Sequence, residues 1–146
     1  VTSTQQRPTA VDTTSLAARL GQAAMAIVLA IVSVLLLVTT HRFELTVLGA
    51  DLPAGLLFGA VFQAVVCLFL WSATGTRFPL LVLGSLWGLL AGPFLGEGAG
   101  GGVLMPAVIA EQAQYSGWIV QGIGILIPFA LALVITVAGR GRSRAR

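Results

Sequence analysis

The sequence predicts an all-α membrane protein: a four-transmembrane-helix bundle built from two hairpins, with both termini in the cytoplasm. Three observations predict it. Of 146 residues, 57% are hydrophobic and only 9% charged, against about 25% charged in an ordinary soluble domain, so too little polar side chain exists to cover a water-facing surface. The apolar residues gather in four runs, each about long enough to cross a hydrocarbon core of about 30 Å. The arginines fall almost entirely on one side of the connections between those runs.

Taken in order, residues 1–19 are polar and rich in Thr, Ser and Gln. They predict a largely disordered leader, with a short helix beginning near Ser15. The first span covers 20–40, too long for a signal-peptide core and lacking a convincing cleavage site, so it is expected to stay uncleaved. The link 41–53 alternates Phe43, Leu45 and Val47 with Glu44 and Thr46, a pattern that predicts extended chain along the surface. Asp51 and Pro53 suit the start of the second span, 54–73, because Pro at a first helical position sacrifices no internal hydrogen bond. Pro79 opens the third span, 79–96. The link 97–117 begins with a glycine tract and then spaces Leu104, Met105, Val108 and Ile109 as a short interfacial helix would. The fourth span is 118–139, and an Arg-rich tail, 140–146, follows.

Charge sets the expected orientation. Arg7, Arg19, Arg77, Arg140, Arg142, Arg144 and Arg146 lie in the leader, the link between spans two and three, and the tail. The other two links hold only Arg42, together with Glu44, Asp51, Glu97 and Glu111. Cytoplasmic enrichment of basic residues then places both termini inside, and Trp71, Tyr115 and Trp118 fit interfacial aromatic belts. The pI near 10.5 reflects the tail, which reads as a topology and anionic-lipid signal, not a nucleic-acid site. Neither Lys nor Asn occurs, which together with Val1 predicts a GC-rich bacterial gene and a plasma-membrane location.

Gly84, Gly88, Gly92 and Gly96 stand four apart in the third span. Such a row forms a shallow inclined groove on a helix, where close backbone approach and dispersion replace the hydrophobic driving force that lipid removes. The readings are packing inside the chain, an oligomer interface, or a pore-lining zipper. Pro93 and Pro128 are expected to kink their spans and free the carbonyls of Leu89 and Gly124. Gln63 and Gln121 are the strongly polar mid-span residues, with Ser33, Ser85 and Thr136 as minor donors, and contacts to neighbouring helices are their expected role.

Chemistry-bearing patterns are sparse. The four spans contain no Asp, Glu, Arg or His, which disfavours ion or proton transport. His41, Glu44, Asp51, Glu97 and Glu111 read as solvated loop groups and make a poor metal site. Cys67 can form no disulfide within the chain. No catalytic, cofactor-binding or metal site is expected, and no cofactor.

The Arg-only basic residues, paired apolar hairpins and Arg-rich end over 20–146 resemble small four-span actinobacterial membrane proteins of unknown function. Small multidrug exporters share the span count but rely on a first-span glutamate that 20–40 lacks. The sequence thus favours a non-catalytic accessory, assembly or scaffold protein that meets a membrane-protein partner or its own copies through the third-span groove. The alternative is a small homo-oligomeric transporter or channel for an uncharged or lipidic substrate, and a membrane enzyme ranks third.

Overall fold

The structure, a computed structural model, describes residues 13, 15–96, 105, 108–109, 111–113 and 115–144. Most of the expected leader lies outside the described residues. Its last residues, however, are already helical: α1 runs Leu16–Thr40 as one continuous helix. Ser15 caps it, its Oγ accepting from the Ala18 amide at 3.2 Å, which satisfies one of the four amides a helix start leaves open.

The link after α1 is a β-hairpin, β1 (Leu45–Val47) paired antiparallel with β2 (Ala50–Leu52). Its turn residues Leu48 and Gly49 both have positive φ, 53° and 83°, the backbone twist that suits a two-residue hairpin loop. Thr46 Oγ1 donates to Asp51 Oδ1 across the pair at 2.7 Å, so Asp51 staples the hairpin and does not cap the next helix. Pro53 caps α2, Ala54–Thr74, which Gly75 ends in the left-handed conformation, its amide bonding the Trp71 carbonyl at 2.8 Å.

After Thr76 and Arg77, α3 begins, Phe78–Ala91, with Pro79 in its first turn. The kink expected from sequence at Pro93 is corrected: no α-helix continues through it, and the α-helix gives way to a 3-10 turn, Gly92–Leu95. The missing Pro93 amide and the ring's clash with the preceding turn account for the change. The expected interfacial helix in the following link is also corrected. Val108–Ile109 (β3) pairs antiparallel with Gln112–Ala113 (β4) around Glu111, which has φ +65°. Two adjacent β-branched residues favour strand over helix. Leu104 lies outside the described residues. Finally α4 spans Tyr115–Arg144, passing through Pro128 and carrying the backbone of Arg140, Arg142 and Arg144 in helix.

The segments Leu16–Thr40, Ala54–Thr74, Phe78–Leu95 and Tyr115–Gly141 are each long and apolar enough to cross a membrane. These four spans make the chain a multi-pass membrane protein. Packing is most extensive between α1 and α3 and between α3 and α4, followed by α2 with α4 and α1 with α2. The consecutive helices α2 and α3 touch only lightly, so the two hairpins lie side by side with α1 next to α3. Two apolar clusters fill the interior. One joins Ala26, Ala30, Cys67, Leu70, Leu80, Leu83 and Ala132; the other joins Val34, Leu37, Val38, Trp87, Ala91, Met105 and Val120.

Candidate functional site

Between these clusters, each of the four helices contributes one polar group to a single connected set. Ser33 of α1 donates through Oγ to Gln63 Oε1 of α2. Trp87 of α3 donates its indole N–H to Ser33 Oγ at 2.9 Å. Gln63 Nε2 donates to the Gly124 carbonyl of α4 at 3.2 Å. Ser33, Gln63 and Trp87 are all fully buried.

The proton directions close without conflict. A backbone carbonyl can only accept, so the Gln63 amide nitrogen must face Gly124 and its oxygen must face Ser33. The indole N–H can only donate, which leaves the serine lone pair as its acceptor. The Gly124 carbonyl is available because Pro128, four residues on, has no amide to bond it. A proline-freed carbonyl in a membrane helix needs a partner from a neighbour, and Gln63 supplies it.

Glycine at 124 has a second reason. A Cβ there would sit 2.0 Å from Trp87 Cδ2 and 2.2 Å from Cε2. The indole lies directly on the α4 backbone, which holds the ring where its N–H meets Ser33. Sequence reasoning named Ser33, Gln63 and the freed Gly124 carbonyl separately but missed Trp87. The available signal was a tryptophan at mid-span, away from either interface, whose N–H must find a partner when buried.

The third-span glycines divide. A Cβ on Gly84 would meet the Phe129 ring at 3.0 Å and Pro128 Cβ at 3.3 Å, and one on Gly88 would meet Ile125 Cδ1 at 3.2 Å. Both therefore face α4. Among the described residues, a Cβ on Gly92 would meet nothing within 4 Å and one on Gly96 only the Pro93 carbonyl at 3.9 Å. The tightest backbone crossing is elsewhere: a Cβ on Gly55 would fall 1.9 Å from the Thr40 carbonyl oxygen, while its amide bonds the Phe43 carbonyl at 2.8 Å. Gln121 is part-buried, and its Oε1 finds no hydrogen-bond partner among the described residues.

His41 departs from the solvated group expected. It is 5% exposed, with Nδ1 at 2.8 Å from the Val38 carbonyl. That contact fixes the proton on Nδ1 and leaves Nε2 buried with no partner among the described residues. Burial lowers its pKa below the ordinary 6.5, and the neighbouring Arg42 charge adds to the shift against the bond to Val38. Glu97 lies outside the described residues. Among those described, no group of three or more His, Cys, Asp or Glu residues is placed to hold a metal ion.

At the end where α1 begins and α4 finishes, Thr76 Oγ1 donates to Gln22 Oε1 at 3.0 Å. Arg77 there donates to Thr136 Oγ1 at 2.8 Å. Arg140 lies one helical turn beyond Thr136, and Arg146 is outside the described residues. Comparison with family models, curated proteins and solved structures finds no match to this chain.

Proposed function

We propose that this chain is a non-catalytic multi-pass protein of a bacterial plasma membrane, a four-helix bundle with both termini cytoplasmic. It acts as an accessory, assembly or scaffold subunit for another membrane complex or a cytoplasmic enzyme. The observation that carries this reading is the closed polar set at mid-depth. Ser33, Gln63 and Trp87 spend their hydrogen bonds on one another and on Gly124, which suits a fixed frame better than a path that must solvate a passing substrate. With Gly84 and Gly88 turned toward α4, the open part of the glycine row is at Gly92, and a partner helix would seat there. Arg140, Arg142, Arg144 and Arg146 would rest on anionic head groups.

One observation favours the second reading, a small homo-oligomeric transporter or channel for an uncharged or lipidic substrate. It is the part-buried Gln121, whose Oε1 is without a partner among the described residues. Substitution separates the two. Gly92→Leu is expected to abolish complex formation with the fold intact, read by affinity purification and circular dichroism. Loss of substrate flux into proteoliposomes on Gln121→Leu, with complex formation unchanged, would overturn the accessory reading in favour of transport.

A further inference from the structure

We propose that the cleft between the α2–α3 turn and the last turns of α4 binds a phosphate group through Arg77 and Arg140, and that an anionic lipid supplies it. The cleft is about 500 Å³ and is lined by Gly75, Thr76, Arg77, Thr136, Gly139 and Arg140, with Ile135 as an apolar wall. This site is distinct from the buried polar set and stands whichever role the chain serves.

Arg77 is held in place before any ligand arrives. Its Nη1 donates to Thr136 Oγ1 at 2.8 Å, and the Thr136 hydroxyl proton is committed to the Ala132 carbonyl at 2.7 Å. The hydroxyl can therefore only accept from the guanidinium, which fixes that planar group beside the cleft. A guanidinium has five N–H donors in a rigid fork that matches phosphate oxygens, and this contact uses one. Arg140, four residues past Thr136, lies on the same face of α4 one turn nearer the helix end.

The glycines leave room for the group. Among the described residues, a Cβ at Gly75 or at Gly139 would meet nothing within 4 Å. Charge acts in the same sense: the described acids Glu44, Asp51 and Glu111 all lie in the two links at the opposite end of the helices. Depth favours lipid as the source. Arg77 immediately precedes the apolar segment Phe78–Leu95, and Arg140 closes the segment Tyr115–Gly141, so the cleft opens at head-group level beside Ile135, where an acyl chain would start.

The test uses the full chain in lipid nanodiscs of phosphatidylcholine with or without phosphatidylglycerol, with bound lipid read by native mass spectrometry. The wild type is expected to retain phosphatidylglycerol selectively. Arg77→Gln should weaken retention about five-fold or more, the scale of one basic residue near an anionic surface. Thr136→Val, which leaves net charge unchanged, should also weaken it, because the guanidinium loses its anchor. Arg19→Gln, which borders the adjoining hollow beside Gln22, Thr76 and Arg77 but does not line this cleft, should have less effect than either. Equal losses for Arg19→Gln and Arg77→Gln, or unchanged retention in Thr136→Val, would overturn the site in favour of diffuse attraction. Inorganic phosphate is the second probe: saturable binding in pure phosphatidylcholine discs, abolished by Arg77→Gln, would overturn the lipid assignment and give the site to a soluble phosphate.

Discussion

Gly124→Ala is the substitution on which the packing argument bears hardest. The added Cβ would lie 2.0, 2.2 and 2.3 Å from three indole carbons of Trp87. Carbon atoms in contact sit about 3.5–4.0 Å apart, so ring and helix must part by about 1.5 Å. Trp87 is fully buried, and its movement breaks the 2.9 Å bond to Ser33. Overpacking a well-filled interior costs about 1–3 kcal/mol. A buried donor left without its partner adds about 1–3 kcal/mol, giving about 2–4 kcal/mol for the variant once partial relaxation is allowed. Gly84→Ala should cost about 1 kcal/mol, since the Phe129 ring must yield a few tenths of an ångström. Among the described residues, Gly88→Ala meets only the flexible end of Ile125 and Gly92→Ala meets nothing; both should stay within about 0.5 kcal/mol. The assay is unfolding in mixed micelles of rising dodecyl sulfate, followed by helicity. If Gly92→Ala destabilised as much as Gly124→Ala, the described α3–α4 contact would be wrong.

The remaining expectations concern other parts of the frame. Gln63→Leu should cost about 1–3 kcal/mol, because it strands the Gly124 carbonyl and the Ser33 hydroxyl together; the same titration should show Ser33→Ala adding less in that background than alone. Gly55→Ala should prevent stable folding, since the clash is with the Thr40 backbone oxygen and not with a movable side chain; recovery of monodisperse protein in mild detergent checks it. His41 has a folded-state pKa below its unfolded 6.5, so the unfolded chain binds more protons between those values. Stability is therefore full above the unfolded pKa and falls as pH drops through that window. An unfolding series from about pH 8 to 5 should show the decline, and His41→Gln should flatten it. Cys67 is fully buried, so maleimide labelling should require unfolding and report its rate.

Much of this frame is legible in the sequence alone. Four apolar runs and the helix starts at Ser15 and Pro53 follow from hydropathy and local backbone chemistry. Pro128 announces the free Gly124 carbonyl, and Gln63 announces a donor seeking an acceptor at similar depth. What sequence could not supply is which helices are neighbours. The α1–α3 contact brings Ser33 to Trp87 from 54 residues away, and no periodicity in either helix points to the other. Gly124 is similar: its packing role depends on a ring from another helix, whereas the conspicuous row at 84, 88, 92 and 96 divides between α4 and open surface. Helical apolar spacing misled at Val108–Ile109, where two adjacent β-branched residues sit in a β-hairpin. Burial of His41 was equally invisible, because a histidine just after an apolar run reads as loop until the fold covers it.

The accessory-subunit proposal is tested most directly by tagging the chain, extracting it in mild detergent and identifying by mass spectrometry what co-purifies in fixed stoichiometry. One defined foreign membrane or cytoplasmic protein is expected, lost on Gly92→Leu while helicity is retained. Recovery of the chain alone, or only of its own copies in a fixed number, would contradict it.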